Sequence, residues 1–150
     1  MELGMVLALL GAVIAVSMAG AGSATELGMI GQAAAGVIME DPKKFGQTLV
    51  LQALGTTNGI YGLLIGFLIF NKALTVTDVN TGLFLLASGI PIGVIGYIAA
   101  VLQGRVVVAG TILVGKRPGE LAKVMIYAAM VETFAVFALL MSFLMYNSVA

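Results

Sequence analysis

The chain has 150 residues, of which 61% are hydrophobic and 9% charged, and its mean hydropathy is +1.14. Soluble domains have roughly 45–50% apolar and about 25% charged residues, so this composition indicates an integral membrane protein with room for four spans and no soluble catalytic domain. Seven acidic and seven basic residues cancel, and cysteine and histidine are absent. Disulfides are thereby excluded, and zinc, haem and Ser-His-Asp chemistry lack their usual ligands or base. The balanced charge says nothing about nucleic acid, and no nucleic-acid partner is expected.

Four apolar segments predict four transmembrane helices. They run over about Gly4–Met39, Thr48–Phe70, Thr81–Val114 and Leu121–Tyr146. The first and third, near 35 residues each, would be roughly 50 Å long as helices and would extend beyond the hydrocarbon core. Short polar breaks join the segments, and Pro42 and Pro118 in the first and third breaks suit helix starts, where a missing N–H is harmless. We therefore expect an all-α membrane protein built as two tandem helical hairpins.

Basic residues predict the orientation of these hairpins. Lys43 and Lys44 lie in the first break, and Lys116 and Arg117 lie in the third, whereas the second break contains Lys72 alone. By the positive-inside rule, the loops around Lys43 and Arg117 face the cytoplasm, and both termini and the middle loop lie outside.

The two halves of the chain indicate a diverged duplication. An offset of 76 residues aligns the prolines of the first and third breaks and pairs Thr56 with Glu132. We expect residues 1–75 to form a first hairpin without an ion-binding carboxylate and residues 76–150 to form a second hairpin that carries Glu132. Both halves run in the same direction, so the repeat is parallel rather than inverted.

Glu132 is the first candidate for a functional residue. It lies in Met125–Met145, a run with no other charge, and a carboxylate near the centre of a membrane helix costs roughly 2–3 kcal/mol or more. Such residues usually face a protein interior and handle an ion or a proton. Thr57 and Gln103 each lie 15 residues from the proline of the nearest cytoplasmic break, and Glu132 lies 14 from it. At about 1.5 Å per residue, all three are roughly 21–23 Å from the hairpin tips and form one polar layer.

This layer offers oxygen ligands suited to a hard monovalent cation. They are a carboxylate, an amide oxygen, a hydroxyl and the Leu54 carbonyl, which Gly55 would free by loosening the second helix. Tyr61 is four residues after Thr57, on the same helical face, and would hold the carboxylate of Glu132 in place. A proton site would need only the carboxylate. Helix cross-linking by the glutamine, a backbone bond by the threonine and simple packing by the tyrosine are the alternatives.

Two more charges lie inside the predicted helices. Glu26 is in the first helix, and Arg105 is in the third, nearly as deep as Gln103 but on a different face. Both helices are rich in glycine, which permits close backbone approach in lipid. If these helices line an inner ring, Glu26 and Arg105 would face its lumen and partly compensate each other. Snorkelling or simple pairing is the alternative.

Three stretches resemble the rotor-ring (proteolipid, c or K) subunit of V-type and V/A-type rotary ATPases. They are Ala-Ala-Met-Val-Glu-Thr at 128–133, residues 51–62 of the second helix, and Gln103-Gly104-Arg105. The resemblance covers nearly the whole chain. It implies a homo-oligomeric ring with one ion-binding acid per four helices, which carries Na⁺ or H⁺ across the membrane by rotation coupled to ATP hydrolysis.

The resemblance also implies roles for individual residues. In sodium-pumping members, the ion is bound at positions that fall here on Glu132, Gln103, Thr57, Asn58 and the Leu54 carbonyl. Tyr61 matches a tyrosine that bonds the glutamate, and Thr56 stands at the first-half counterpart of Glu132. Asn58 departs from the pattern, because the family has the longer glutamine. Proton-pumping relatives tend to have apolar residues at positions 57 and 58, so Na⁺ is favoured over H⁺.

The implied partners are further copies of the chain, lipid, a stator membrane subunit of the a or I type, and a central-stalk subunit of the d or C type docked on the loops near Lys43 and Arg117. No Gly-x-x-x-x-Gly-Lys-Ser/Thr loop is present, so this chain is expected to bind no nucleotide and to be non-catalytic. One rival is a small four-helix proton-coupled exporter of drugs or cations. Against it, Trp is absent and aromatic residues are 7% of the chain. Another is a structural tetraspan protein, which leaves the polar layer unexplained.

Overall fold

Long helices run back and forth through the computed structural model, which describes residues 2–149. They are α1 (Leu3–Glu40), α2 (Phe45–Leu54), α3 (Thr57–Ala73), α4 (Val79–Lys116) and α5 (Leu121–Asn147). α2 and α3 follow each other as one broken span, so the helices make four passes. Each pass is long and apolar enough to cross a membrane. The predicted all-α architecture with four membrane spans is confirmed.

The two basic breaks lie together at one end of the bundle. Each begins with a single 3₁₀ turn, Pro42–Lys44 before α2 and Pro118–Glu120 before α5, so both prolines stand at the start of a helical segment as predicted. Gln47, in the first turn of α2 directly after the first break, donates from its Nε2 to the carbonyl of Pro118 in the third break at 3.5 Å. The basic residues of both breaks are therefore presented on one surface.

Glycine brings α1 and α4 into direct backbone contact. A Cβ atom on Gly82 would collide with the backbone of Gly4, and one on Gly89 would collide with the backbone of Gly11. The remaining helices flank this pair, α3 against α1 and α5 against α4. Large apolar side chains lie exposed on α3 and α5, among them Phe67, Phe134, Phe137 and Leu140. α1 and α4 are therefore packed closely through glycine, and the helices that flank them present aromatic and aliphatic groups on their exposed faces.

Pro91 lies inside α4 without breaking it. The next residue, Ile92, donates its N–H to the Ser142 hydroxyl of α5 at 3.1 Å, and Ser142 is fully buried. This bond ties α4 to α5 directly after the proline, whose ring disturbs the helical hydrogen bonds around it.

The second span breaks at Gly55 and Thr56. The N–H of Gly55 donates to Gln52 at 3.1 Å and that of Thr56 donates to Ala53 at 3.3 Å, so the hydrogen bonds tighten to i→i+3 before the helix resumes. Just after the break, the N–H of Gly59 donates to the Ser23 hydroxyl of α1 at 2.8 Å. The second helix thus loosens at Gly55, as expected from the sequence, and the hydrogen bond to Ser23 fixes the break against α1.

Candidate functional site

Glu132 lies on α5, half-buried, and is held by groups from two other helices. The Tyr61 hydroxyl of α3 donates to its Oε1 at 2.9 Å, and Nε2 of Gln103 on α4 approaches its Oε2 at 3.4 Å. The sequence placed these three residues together from depth and helical face alone, and the structure brings them together. The carboxylate is accessible from the outer side of the bundle and supported from within.

A second amide stands directly behind Gln103. Nδ2 of Asn58 donates to Oε1 of Gln103 at 3.0 Å, and both side chains are 0% exposed. The two amides thus form a chain, with Asn58 on the inner side, Gln103 in the middle and Glu132 at the outer end. In this arrangement Gln103 presents a donor, not an oxygen, to the carboxylate.

The helix break supplies two further oxygen atoms. The Thr57 hydroxyl donates to the Leu54 carbonyl at 3.0 Å, and this carbonyl stands at the end of α2, where the regular helix stops. Thr57 therefore bonds a backbone carbonyl of its own span, which the sequence analysis gave as the alternative to ion binding. The carbonyl that accepts this bond, that of Leu54, is also the backbone ligand that we expected from the sequence. Thr56 is exposed and donates to Ala53 at 2.8 Å.

Glu26 does not face outward toward a ring lumen, as one interpretation of the sequence expected. Its side chain is 0% exposed, and neither of its oxygens has a hydrogen-bond partner. A Cβ on Gly55 would lie 3.0 Å from its Cγ, and one on Gly104 would lie 3.1 Å from the same atom. Arg105 is exposed on another face of α4. The expectation that Glu26 and Arg105 share an inner surface is therefore wrong: Glu26 points into the bundle, beside Asn58.

Sequence reasoning missed this burial although a signal was present. Gly55 directly follows Leu54, and Gly104 directly follows Gln103. A glycine beside a candidate ligand on each of two helices leaves room for a side chain from a third helix, and Glu26 occupies that room.

The donor set suits a monovalent ion better than a multivalent metal. Within residues 2–149, no group of three or more His, Cys, Asp or Glu side chains lies close enough to hold a metal ion. One carboxylate surrounded by amide, hydroxyl and carbonyl groups can balance a single positive charge, a proton or an ion such as Na⁺.

A duplicated helical hairpin, with a partly exposed carboxylate in its last span, defines the proteolipid class of membrane protein. The family model for the C subunit of ATP synthase matches the chain twice, over residues 10–69 and 86–145. The chain belongs to this family. The two matches begin and end 76 residues apart, which is the offset that the sequence repeat indicated.

Two relatives align along nearly all of this chain. The V-type sodium ATPase subunit K of Enterococcus hirae is 42% identical over 142 residues, which are 95% of this chain and 91% of that protein. The A-type ATP synthase subunit K of Methanocaldococcus jannaschii is 36% identical over 141 residues, 94% of this chain and 62% of that longer protein. Both are named as subunit K, one of a V-type sodium ATPase and one of an A-type ATP synthase, which agrees with the class that the resemblance indicated.

Proposed function

We propose that this chain is the rotor-ring subunit of a V-type rotary ATPase, which carries Na⁺ across the membrane as the ring turns. The observation that carries the proposal is the position of Glu132, partly exposed at the flank of the bundle and held by Tyr61 and Gln103. The relative in Enterococcus hirae, a sodium ATPase subunit that spans almost the same length, favours Na⁺ as the ion.

The proposed ligands are oxygen atoms from three spans. Glu132 supplies the negative charge, Gln103 an amide oxygen, Thr57 a hydroxyl oxygen, and Leu54 its backbone carbonyl at the helix break. Asn58 enters through its hydrogen bond with Gln103 rather than as a fifth direct ligand, because it lies on the inner side of that amide. Tyr61 keeps the carboxylate turned toward the ligands.

The chemistry of transport follows from the cost of a bare carboxylate in lipid. An ionised Glu132 facing hydrocarbon is unfavourable, whereas a bound cation neutralises it and lets the site pass the lipid. In contact with the stator, an aqueous path and a basic side chain of the partner would release the ion by competing for the same oxygen atoms. Rotation in one direction would then carry ions from one side of the membrane to the other.

The assembly follows from the exposed surfaces. Identical copies would close a ring, with the a- or I-type stator subunit beside Glu132 and the d- or C-type stalk subunit on the surface formed by the breaks at Lys43 and Arg117. We propose that this surface is cytoplasmic and that both ends of the chain lie outside. In this complex the chain moves ions, and ATP is hydrolysed by other subunits. The first hairpin, residues 1–75, would contribute ligands without an ion-binding carboxylate of its own, since Thr56 stands at the repeat position.

Labelling by a hydrophobic carbodiimide tests the proposal. The reagent attacks protonated buried carboxyl groups, so bound Na⁺ should slow the modification of Glu132 in the assembled ring. Lower pH should oppose this protection, because protons and Na⁺ compete for the same oxygen atoms. K⁺ at equal ionic strength is the control. Labelling that depends on pH alone at every Na⁺ concentration would identify the ring as a proton carrier.

A further inference from the structure

Three buried oxygen atoms beside the site lack donors. They are both carboxyl oxygens of Glu26 and Oδ1 of Asn58, and both side chains are 0% exposed. The Asn58 side chain lies within interaction range of the Glu26 carboxyl, but neither oxygen of Glu26 makes a hydrogen bond of acceptable geometry. Leaving a buried acceptor unpaired costs roughly 1–3 kcal/mol, so three such atoms at one place require an explanation.

The orientation of the two amides explains why these atoms are unpaired. Asn58 turns its NH₂ toward Gln103, which leaves its own oxygen facing away from that residue. Gln103 in turn directs its NH₂ toward Glu132. Both hydrogen bonds in this chain of amides are donated outward, toward the carboxylate of the ion site, and Glu26 receives neither of them.

A cation at Glu132 requires the opposite orientation. A positive ion is coordinated by the amide oxygen of Gln103, not by its NH₂, so this side chain must turn over. Its NH₂ then faces Asn58, which must turn over too, since two NH₂ groups cannot bond each other. The NH₂ of Asn58 now points at Glu26, and its oxygen accepts from Gln103. One concerted reversal thus provides a donor for a Glu26 oxygen and for Asn58 Oδ1.

We propose that Glu26 is a positioning residue of the cation site, acting through Asn58 and Gln103. By accepting a hydrogen bond from Asn58, it favours the orientation in which Gln103 offers its oxygen to the ion. The two orientations form a switch in the interior: donors point outward when the site is empty and inward when a cation is bound. The inference rests on the proposed cation site at Glu132.

The charges around Glu26 are consistent with this role. Glu132 of α5 is the other acid in electrostatic range, and Tyr61 lies beyond it on α3. Within the described range, no basic side chain forms an ion pair with Glu26, and Arg105 is exposed elsewhere on α4. The NH₂ of Asn58 is a neutral donor within range of this carboxyl group.

The test measures two responses of Glu132 labelling in the assembled ring. In Glu26→Met, the Na⁺ concentration for half protection should rise about tenfold, which corresponds to about 1.4 kcal/mol for the lost acceptor. The pH dependence of labelling without Na⁺ should shift less than the Na⁺ response, because the lost hydrogen bond belongs to the cation-bound orientation. Glu26→Gln keeps an acceptor oxygen and should restore most of the protection. Gln32→Leu, an exposed polar position on the same helix, is the matched control.

A double variant separates positioning from packing. If Glu26 acts through Asn58, then Glu26→Met should add little to the defect of Asn58→Leu, since residues that act as a unit are not additive. Additive losses, or equal shifts in the Na⁺ and pH responses, would assign Glu26 a merely structural role and overturn the inference. Unchanged Na⁺ protection in Glu26→Met, with normal protection in the unaltered protein, would overturn it while leaving the sodium site intact.

A spectroscopic measurement covers the case in which Glu26→Met does not assemble. The infrared difference spectrum between Na⁺-bound and Na⁺-free rings should contain carboxyl bands of Glu26, identified by their loss in Glu26→Gln. A spectrum without such bands would contradict the switch. Absence of any Na⁺-induced change in the unaltered ring, together with absence of protection, would instead contradict the sodium site itself.

Discussion

The Tyr61 hydroxyl donates to Oε1 of Glu132 at 2.9 Å and joins α3 to α5 at the flank of the bundle. A carboxylate on this flank has several rotamers open to it, and the hydrogen bond selects the one that also lies near Gln103. The first hairpin thereby controls the geometry of an acid carried by the second.

Tyr61→Phe should weaken Na⁺ binding and leave the fold intact. Only the hydroxyl is removed, and a hydrogen bond to a charged group is worth about 1.5–3 kcal/mol, so half protection of Glu132 should need at least about tenfold more Na⁺. Tyr127→Phe is the matched control, because Tyr127 is an exposed tyrosine of α5. Equal protection in Tyr61→Phe and the unaltered protein would show that the hydroxyl does not hold the carboxylate.

Glu132→Gln should abolish ion transport in reconstituted vesicles while the ring still assembles. The amide is nearly isosteric with the carboxyl group but cannot supply the negative charge that the cation needs. Glu40→Gln, at the exposed end of α1, should transport normally. Native mass measurement of both solubilised particles checks the assembly, and normal Na⁺ flux in Glu132→Gln would refute the central assignment.

Gly89→Ala should destabilise the bundle. Its Cβ would collide with the backbone of Gly11, and neither helix can yield without losing its close contact, which gives a cost of roughly 1–3 kcal/mol. Gly28→Ala should be neutral or slightly stabilising, since a Cβ there meets nothing within 4 Å. Thermal unfolding of the two variants in the same detergent compares them, and equal melting temperatures would mean that the α1–α4 contact is softer than the structure indicates.

Single cysteines test the orientation of the hairpins. Cysteines placed at Lys43 and Lys116 should be protected from an impermeant thiol reagent on intact cells, whereas those at Glu2 and Asp78 should react. The native chain has no cysteine, so no background label arises. The reverse pattern would invert the topology and remove the proposed stalk-docking role from the surface near Lys43 and Arg117.

Composition and polar breaks were enough to predict the helical passes to within a few residues. The third segment, predicted over Thr81–Val114, forms a helix over Val79–Lys116. The second was expected to begin near Thr48 but is helical from Phe45, because a proline-led turn starts it and its polar first residues do not interrupt it. Hydropathy indicates the residues that lie in lipid. The helices extend beyond those residues, because the backbone hydrogen bonds continue into the polar region, and the predicted segments are therefore shorter than the observed helices.

The contacts of Glu132 were predictable because depth can be counted from a proline and helical face from spacing. The burial of Glu26 was not predictable in this way. α1 is apolar around its whole circumference, so no amphipathic stripe indicates which face looks inward. The face of α1 that carries Glu26 is turned inward by the packing of this helix against Gly55 and Gly104.

The backbone contacts at Gly4–Gly82 and Gly11–Gly89 bring α1 and α4 closer together than helices with side chains at those positions could lie. In a ring of identical copies, the width of each copy contributes to how many copies close the circle. A methyl group at Gly82 or Gly89 would push the two helices apart, and the number of copies divides each full turn into its steps. The ratio of ions moved to ATP consumed would therefore depend partly on glycines that bind neither.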